Sequence, residues 1–290
     1  MIYKIKLRII NGCFKMKSQL IIFSKNRASQ LHLLLESLEK NSKDLFDTIF
    51  VIYTYTEKDY LDGYNKIIEK FPKVSFVIEN DFFKDSMKLV SNNSFEYTTF
   101  MVDDNVFYKE LPINREKIFN LFNDQNKPIS CFSLRLGLNC NYSHPANLSY
   151  TIGNYETVDD FIKININEQK VDFAYPLSVD GHIFKTDFIK SCLSSIGLFS
   201  NPNTLESKLQ YLLNRIDKNM CFLKESVLVG IPNNIVNNTH KNRRGLKFYF
   251  SEKDLNIKYN NGETINLEGL DFSDINGPHK EIEYKLKKCY

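Results

Sequence analysis

The stretch FMVDDNVFY, residues 100–108, decides the fold, because an apolar run ends there in two carboxylates and an amide. Asp103, Asp104 and Asn105 follow directly on a strand-type run at residues 97–102. In open α/β sheets, ligands bind at the edge formed by the carboxyl ends of the strands. Mg²⁺ and Mn²⁺ prefer oxygen ligands and often hold a substrate diphosphate through one or two carboxylates. The stretch therefore predicts a divalent-metal site for a diphosphate; the alternative is a charged turn, since Asp-Asp-Asn is also good turn chemistry.

The residues before this stretch alternate between strand-type and helix-type patterns. Apolar runs of strand type occupy residues 20–23, 48–53, 74–78 and 97–102. Between the first two runs, leucines recur at helical spacing from Leu31 to Leu38, and two further amphipathic segments separate the later runs. Strands that alternate with helices indicate parallel βαβ units. We therefore predict an α/β, Rossmann-like fold with a mostly parallel central sheet and helices on both faces.

The second half of the chain has weaker signals. Strands are predicted at residues 129–134, 171–179 and 227–231, with a helix near residues 188–193 and a clear one from residue 203 to 216. Residues 139–164 mix polar and aromatic side chains and are interpreted as a long excursion, a kind of segment that is often functional. From residue 233 onward the chain is polar and punctuated by glycine. We interpret it as a tail that covers the domain.

The composition is that of an ordinary globular protein: 42% of the 290 residues are hydrophobic and 25% are charged. The formal net charge is +3 and the sequence pI is about 8.3, so charge alone predicts neither nucleic-acid nor membrane binding. The six cysteines form no C-x-x-C pair, and no apolar run approaches the ~20 residues of a membrane span. We expect a cytoplasmic protein without a membrane span.

The first residues precede any strong signal. We interpret residues 1–17 as an N-terminal extension, and Met16 is a possible alternative start. Residues 1–15 are therefore expected to be dispensable for folding.

Three segments together resemble GT-A glycosyltransferases of the family-2-like kind. IIFSKNRASQLHLLLESL (residues 21–38) resembles their opening strand, Asn-Arg loop and leucine helix, and FMVDDNVF looks like their DxD metal motif. DGHIFKTDFIKSCLSSIGLFSNPNTLESKLQYLLNRI (residues 180–216) is similar to their acceptor half. The resemblance covers residues 18–235. It implies a nucleotide-binding half at 18–110 and an acceptor half at 111–235, followed by the covering tail at 236–290.

The resemblance implies a GT-A fold and transfer of a sugar from a nucleotide-diphosphate donor to a hydroxyl acceptor, usually with inversion and with Mn²⁺ or Mg²⁺. Asn26 and Arg27 would then lie near the nucleotide, and Asp103 near the ribose. Asn105 would take the last position of DxD, where the family usually has a carboxylate, and Asp104 is the carboxylate that can replace it as a metal ligand. The acidic residue that usually follows the second strand is also missing.

Two carboxylates are candidates for the base that deprotonates the acceptor hydroxyl. Glu206 aligns with the base of the family; its alternative role is in a capping box with Asn203, three residues before it. Asp180 is the second candidate, and its alternative is a turn aspartate before Gly181. For each carboxylate, the sequence leaves both roles open.

Five further side chains are candidates for contacts with the diphosphate. His182 and Arg135 are predicted substrate contacts, His240 a metal ligand or diphosphate contact, and Arg243 and Arg244 partners of the leaving group. The alternatives are polar surface for the histidines, an ordinary ion pair for Arg135, and a solvated charge run for the last two arginines.

Two other functions compete with glycosyl transfer. A nucleotidyltransferase has a glycine-rich loop after its first strand, whereas the loop here, residues 24–27, contains no glycine. A non-catalytic nucleotide- or carbohydrate-binding relative is the other alternative, which Asn105 in the metal motif keeps open. Only the short basic cluster around residues 240–244 would support action on nucleic acid, which we therefore do not expect.

Overall fold

The computed structural model describes residues 16–236, 243 and 245–288; the N-terminal segment 1–15 that was predicted to be dispensable lies outside this range. The strands are β1 (Ser18–Lys25), β2 (Thr48–Thr54), β3 (Ser75–Ile78), β4 (Tyr97–Val102), β5 (Asn105–Phe107), β6 (Ile129–Ser133), β7 (Tyr142–Ser143), β8 (Leu148–Ser149), β9 (Tyr155–Val158), β10 (Phe161–Asn165), β11 (His182–Lys185), β12 (Asn219–Leu223), β13 (Leu228–Gly230), β14 (Glu263–Ile265) and β15 (Leu286–Lys288). The α-helices are α1 (Ala28–Asn41), α2 (Lys58–Lys70), α3 (Phe82–Val90), α4 (Arg115–Asn120), α5 (Thr186–Ser195), α6 (Pro202–Leu209) and α7 (Glu252–Asn260).

A nine-stranded sheet forms the centre, in the order β3-β2-β1-β4-β11-β6-β12-β10-β9. The first four strands of this order are parallel to one another. β11 is antiparallel to both of its neighbours, and so is β10, whereas β6 and β12 are parallel. Seven of the nine strands therefore run in one direction, which confirms the predicted α/β fold with a mostly parallel sheet.

Helices cover both faces of this sheet. Alternate residues of a strand point to opposite faces, so each strand contributes side chains to two separate cores. Leu20 and Ile22 of β1 belong to a core that includes residues of α1, α2 and α4. Ile21 and Phe23 of the same strand belong to a second core that includes residues of α3, α5 and α6. The continuous apolar run of β1 follows from this burial on both sides, and the predicted helices on both faces are confirmed.

The C-terminal segment, residues 245–288, contains α7, β14 and β15. It contributes most of a third apolar core, in which Ile265, Ile282 and Tyr284 lie with Leu33 of α1 and Val229 of β13. The segment thus packs on α1 and on the two-stranded β5–β13 sheet, beside the carboxyl edge of the large sheet. It is fixed there by apolar contacts as well as by hydrogen bonds.

Two predictions for the second half were wrong, and one strand was missed. Residues 171–179 are not a strand but a 3-10 turn, Val171–Ala174, followed by irregular chain. The strand of this region comes later, as β11. The strand β12 was not predicted, although its sequence, NMCFL, is largely apolar. The excursion at 139–164 is partly core, because β10 lies within the large sheet and most of its residues are buried.

None of the helices in the described parts of the chain has the length and apolar character needed to cross a membrane.

Candidate active site

The candidate site lies where the order of the sheet changes direction. From β1 the chain moves outward to β2 and β3, and then returns to place β4 on the other side of β1. The crevice at the carboxyl ends of two such strands is where open α/β sheets bind ligands. The loop after β1 and the acidic residues after β4 therefore meet at the expected position.

Asp103 is a buried anchor in this crevice, with only 3% of its surface exposed. Its Oδ2 accepts hydrogen bonds from Ser24 Oγ at 2.8 Å and from the backbone N–H of Lys25 at 3.1 Å. Its Oδ1 accepts one from Arg27 Nη1 at 2.9 Å. Asp103 therefore fixes the loop after β1 and the guanidinium of Arg27; its predicted contact with a ribose stays a prediction.

Arg27 links the acidic pair to the chain beyond β13. Nη1 also donates to Asp104 Oδ2 at 3.1 Å, and Nη2 donates to the carbonyl oxygen of Asn234 at 2.5 Å. The pKa of Asp104 is raised to about 6, because burial and the charges of Asp103 and Asp180 together outweigh the lowering by Arg27 and His279. The Asp104 side chain is 18% exposed. It is thus the more accessible member of the pair, and its Oδ2 is already paired with the guanidinium of Arg27.

Asn105 begins β5 and is buried. Its Oδ1 accepts a hydrogen bond from the backbone N–H of Val102 at 3.3 Å, and its backbone pairs with Gly230 of β13. Among the described residues, no three His, Cys, Asp or Glu side chains are grouped closely enough to hold a metal ion by themselves. His240, the third predicted ligand, lies outside the described residues. An ion bound here would take its further oxygen ligands from water or from a substrate, as Mg²⁺ sites on phosphate substrates often do.

A second charged cluster is centred on Asp180. Arg135 Nη1 donates to its Oδ2 at 2.6 Å, and Nε2 of His279 lies 3.1 Å from the same oxygen. Burial alone would raise the pKa of Asp180, but Arg135 and His279 hold it well below the usual range. Arg135 therefore forms the ordinary ion pair that the sequence analysis gave as the alternative to a substrate contact. A carboxylate held in this way is a weak base, which disfavours Asp180 as the proton acceptor.

Glu206 is the fifth residue of α6, and its surroundings correct the capping prediction. The cap is Asn201, which forms a capping box with Thr204. Glu206 Oε1 instead accepts hydrogen bonds from Ser178 Oγ at 2.7 Å and from the backbone N–H of Val179 at 3.1 Å. Burial raises its pKa above the usual glutamate value, while Arg135 and Ser178 oppose that rise. A carboxylate of raised basicity, not used as a cap, suits a general base.

Two predicted substrate contacts are engaged elsewhere. His182 lies in β11 and is completely buried; its Nδ1 lies 2.9 Å from the carbonyl oxygen of Pro176, and burial lowers its pKa to about 3. It is a neutral core histidine, so the prediction that it contacts substrate is wrong for this structure. Asn26 has φ of 58° and exchanges two hydrogen bonds of 2.9 Å with Thr56. Its amide shapes the loop after β1, since asparagine tolerates this left-handed conformation.

The basic cluster near residue 240 is described only at Arg243. Its Nη1 donates to Tyr142 Oη at 2.7 Å and to the carbonyl oxygen of His144 at 3.1 Å. The guanidinium thus binds the excursion after β6, and its predicted contact with the diphosphate stays a prediction. Arg244 lies outside the described residues.

Three residues of the site were missed at the sequence level: Asn234, His279 and Tyr284. Asn234 receives the hydrogen bond from Arg27, His279 bonds Asp180, and the phenol of Tyr284 interacts electrostatically with Asp104, Arg27 and Asp103. All three lie in stretches that have no periodic pattern. The available signal was the aromatic and histidine content of an otherwise polar tail, which does not specify a position.

No protein-family model matches the chain. In a match of 196 aligned positions that covers 61% of its length, the chain is 31% identical to the bifunctional glycosyltransferase pgtA of Dictyostelium discoideum. The predicted resemblance to glycosyltransferases is confirmed. The match covers 25% of that relative, so this chain spans about a quarter of its length.

Several solved structures are similar over part of the chain. S. aureus TarS gives a TM-score of 0.47 at 16% identity, covering 73% of this chain and 36% of TarS. TarS 1-349 in complex with UDP gives 0.49 at 14% identity, covering 75% and 62%. A cytidylyltransferase from Leptospira borgpetersenii gives 0.41 at 14% identity, covering 73% and 79%. At these identities and TM-scores, the solved structures say nothing about the substrate of this chain.

Proposed function

We propose that this chain transfers a sugar from a nucleoside-diphosphate donor to a hydroxyl acceptor, with inversion at the anomeric carbon and with a bound Mn²⁺ or Mg²⁺. The arrangement that carries the proposal is a continuous set of charged side chains. The charge of Asp180 raises the pKa of Asp104 in the crevice. Asp180 is bonded to Arg135, and Arg135 interacts electrostatically with Glu206. A diphosphate-binding carboxylate and a basic carboxylate therefore flank one buried ion pair.

The chemistry assigned to Glu206 is proton abstraction. In a single displacement, the acceptor oxygen attacks the anomeric carbon while the diphosphate leaves, and a carboxylate takes the proton of the attacking hydroxyl. Ser178 and Val179 hold one oxygen of Glu206 in place. Its other oxygen is the one that we assign to the acceptor hydroxyl.

The residue that would hold the cation is Asp104. Asn105, the other ligand expected from the sequence, fits less well, because it is buried and its Oδ1 accepts a hydrogen bond from Val102 N–H. Asp104 fits because it is the accessible carboxylate and because burial and neighbouring carboxylates disfavour its negative charge, a cost that an adjacent cation removes. When bound, such an ion neutralises charge that develops on the departing diphosphate. Arg27 supplies a fixed positive charge to the same crevice.

Replacing Asp104 with alanine is expected to remove the cation-dependent part of nucleotide binding. Calorimetry with UDP, GDP, CDP and ADP, in Mn²⁺ and in EDTA, measures this directly. We expect the Mn²⁺-dependent gain in affinity to fall at least about tenfold, the order of effect for a lost metal contact. Asp160→Ala, which removes an exposed carboxylate paired with Lys117, is the control. Equal affinity of the unmodified protein in Mn²⁺ and in EDTA for every nucleotide would contradict the metal proposal.

The reaction itself is tested by the product released from a panel of nucleotide sugars. Glycosyl transfer or donor hydrolysis releases a nucleoside diphosphate, whereas nucleotidyl transfer from a nucleoside triphosphate releases pyrophosphate. A non-catalytic binder releases neither. Detection of a nucleoside diphosphate supports the proposal, and pyrophosphate alone or no release would contradict it.

The proposal places the reaction in the cytoplasm. The cysteines of the described part of the chain are free and buried: Cys131, Cys140, Cys192 and Cys221. Thiols persist in reducing compartments, which supports this location.

A further inference from the structure

His279 lies between the short strand β13 and the carboxylate of Asp180. Its Nε2 is 3.1 Å from Asp180 Oδ2, and its side chain is 22% exposed. Burial disfavours the charged ring, but the hydrogen bond and the charge of Asp180 raise the pKa of His279 above its usual value. The ring is therefore a hydrogen-bond donor to Asp180.

The backbone around His279 is held from two sides. Gly230 N–H donates to the carbonyl oxygen of Pro278 at 2.9 Å, and Lys280 N–H donates to the carbonyl oxygen of Gly230 at 3.0 Å. On the other side, the carbonyl oxygen of Asn276 accepts hydrogen bonds of 2.9 and 3.0 Å from the backbone of residues 141 and 142. Such bonds on both flanks leave the position of the imidazole well defined.

Gly230 permits the close approach of the ring. A Cβ atom at this position would lie 2.7 Å from His279 Cδ2, which is shorter than van der Waals contact allows. Gly230 also pairs with Asn105 of β5. One backbone ladder therefore connects Asn105, which follows the proposed cation ligand Asp104, with the residue that bonds Asp180.

Asp180 is the part of the site on which these contacts converge. It bonds Arg135, and it acts electrostatically on Asp104 and on Glu206. Without the hydrogen bond from His279, the carboxylate would be free to turn, and Arg135, which bonds it, would turn with it. The charges that face both the donor crevice and the base would then change together.

We propose that His279 is a positioning residue of the transfer reaction, which fixes Asp180 and Arg135 through its Nε2–H, so that the C-terminal segment forms part of the active site. This inference rests on the proposed function. It assigns no direct contact between His279 and substrate. Its specific content is that the Nε2–H donor, and not the imidazole ring as such, is what the site requires.

Two amide substitutions distinguish a requirement for the Nε2–H donor from a requirement for the imidazole ring. The amide nitrogen of glutamine takes a position close to that of Nε2, whereas that of asparagine falls short of it. His279→Gln should therefore keep the bond to Asp180, and His279→Asn should lose it. We expect His279→Asn to lower kcat/KM for the nucleotide sugar by about tenfold or more, with most of the change in kcat, and His279→Gln to restore the value to within about threefold, because one charge-assisted hydrogen bond is at stake.

Lys280→Ala is the control, since the Lys280 side chain forms a surface ion pair with Asp274 and is not part of the site. Melting temperatures of all variants should agree within a few degrees. If His279→Asn keeps its activity, or if His279→Gln is as impaired as His279→Asn at equal melting temperature, the inference is overturned. If the unmodified protein releases no nucleoside diphosphate from any nucleotide sugar, the proposed function fails instead. Hydrogen exchange of residues 175–185 then tests the bond alone: faster exchange in His279→Asn than in His279→Gln supports it, and equal exchange overturns it.

Discussion

Glu206→Gln should lower kcat by about 10²–10⁴-fold, the range that general-base catalysis supplies. The substitution keeps the size and the acceptor oxygen that bonds Ser178 and Val179, but removes the negative charge that accepts a proton. Donor affinity should change little, because the base acts on the acceptor hydroxyl. Steady-state kinetics with a nucleotide sugar and a hydroxyl acceptor, together with calorimetry of the nucleoside diphosphate, measure both quantities.

The pH dependence gives an independent test of the same residue. Because burial raises the pKa of Glu206, kcat/KM should rise with pH in a range above the usual glutamate pKa, and this limb should be absent in Glu206→Gln. The contribution of Glu206 to the stability of the fold depends on pH with the opposite sign, because it falls as pH rises. A carboxyl whose pKa is raised by folding stabilises the native state at low pH, and this contribution is lost as pH rises through the native pKa. The free energy of unfolding of Glu206→Gln should lack that decline.

Glu168→Gln is a matched control, since Glu168 is an exposed glutamate in a 3-10 turn away from α6. It should leave kcat unchanged. If Glu206→Gln retained most of its kcat, the base would have to be sought elsewhere, and Asp180→Asn would be the next variant. We expect the Asp180 substitution to act differently, by disturbing Arg135 and His279 as well as the reaction.

The sequence predicted the first half of the sheet because its strands are buried on both faces. The residues of β1 are apolar at every position from Leu20 to Phe23, and its neighbours follow in order through helices of ordinary length. In the second half, β11 enters antiparallel between β4 and β6, so that sequence neighbours are not sheet neighbours. A four-residue strand such as β11 carries too short a pattern to be separated from a loop.

The strength of the local sequence pattern also explains which parts of the site were predicted. Arg27, Asp103 and Asp104 stand at the ends of two strong strands, so their encounter follows from the topology. Glu206 was identified through the resemblance, but its partners were not, because Ser178 and Val179 lie in irregular chain. His279 reaches Asp180 across 99 residues of sequence, and no local pattern encodes such a contact.

Arg27→Ala should destabilise the fold by about 3–5 kcal/mol, the usual effect of breaking a buried ion pair by removal of one partner. Arg27 and Asp103 are both nearly inaccessible, and the guanidinium also bonds Asp104 and the carbonyl oxygen of Asn234. Without it, Asp103 remains a buried carboxylate that keeps, among the described residues, the hydrogen bonds from Ser24 Oγ and Lys25 N–H. Urea unfolding followed by circular dichroism measures the loss.

Lys25→Ala is the control for this substitution, because Lys25 is a neighbouring cation whose side chain is exposed; surface changes of this kind stay within about 0.5 kcal/mol. Arg27→Lys should fall between the two, since an ammonium keeps the charge but cannot bond both carboxylates and Asn234 in the same fork geometry. Adding Asp103→Asn to Arg27→Ala should recover part of the stability, because it removes the buried charge that has lost its partner. If Arg27→Ala unfolds at the same urea concentration as Lys25→Ala, the guanidinium is not the structural centre of the crevice. Its only remaining role would be to supply positive charge to the diphosphate.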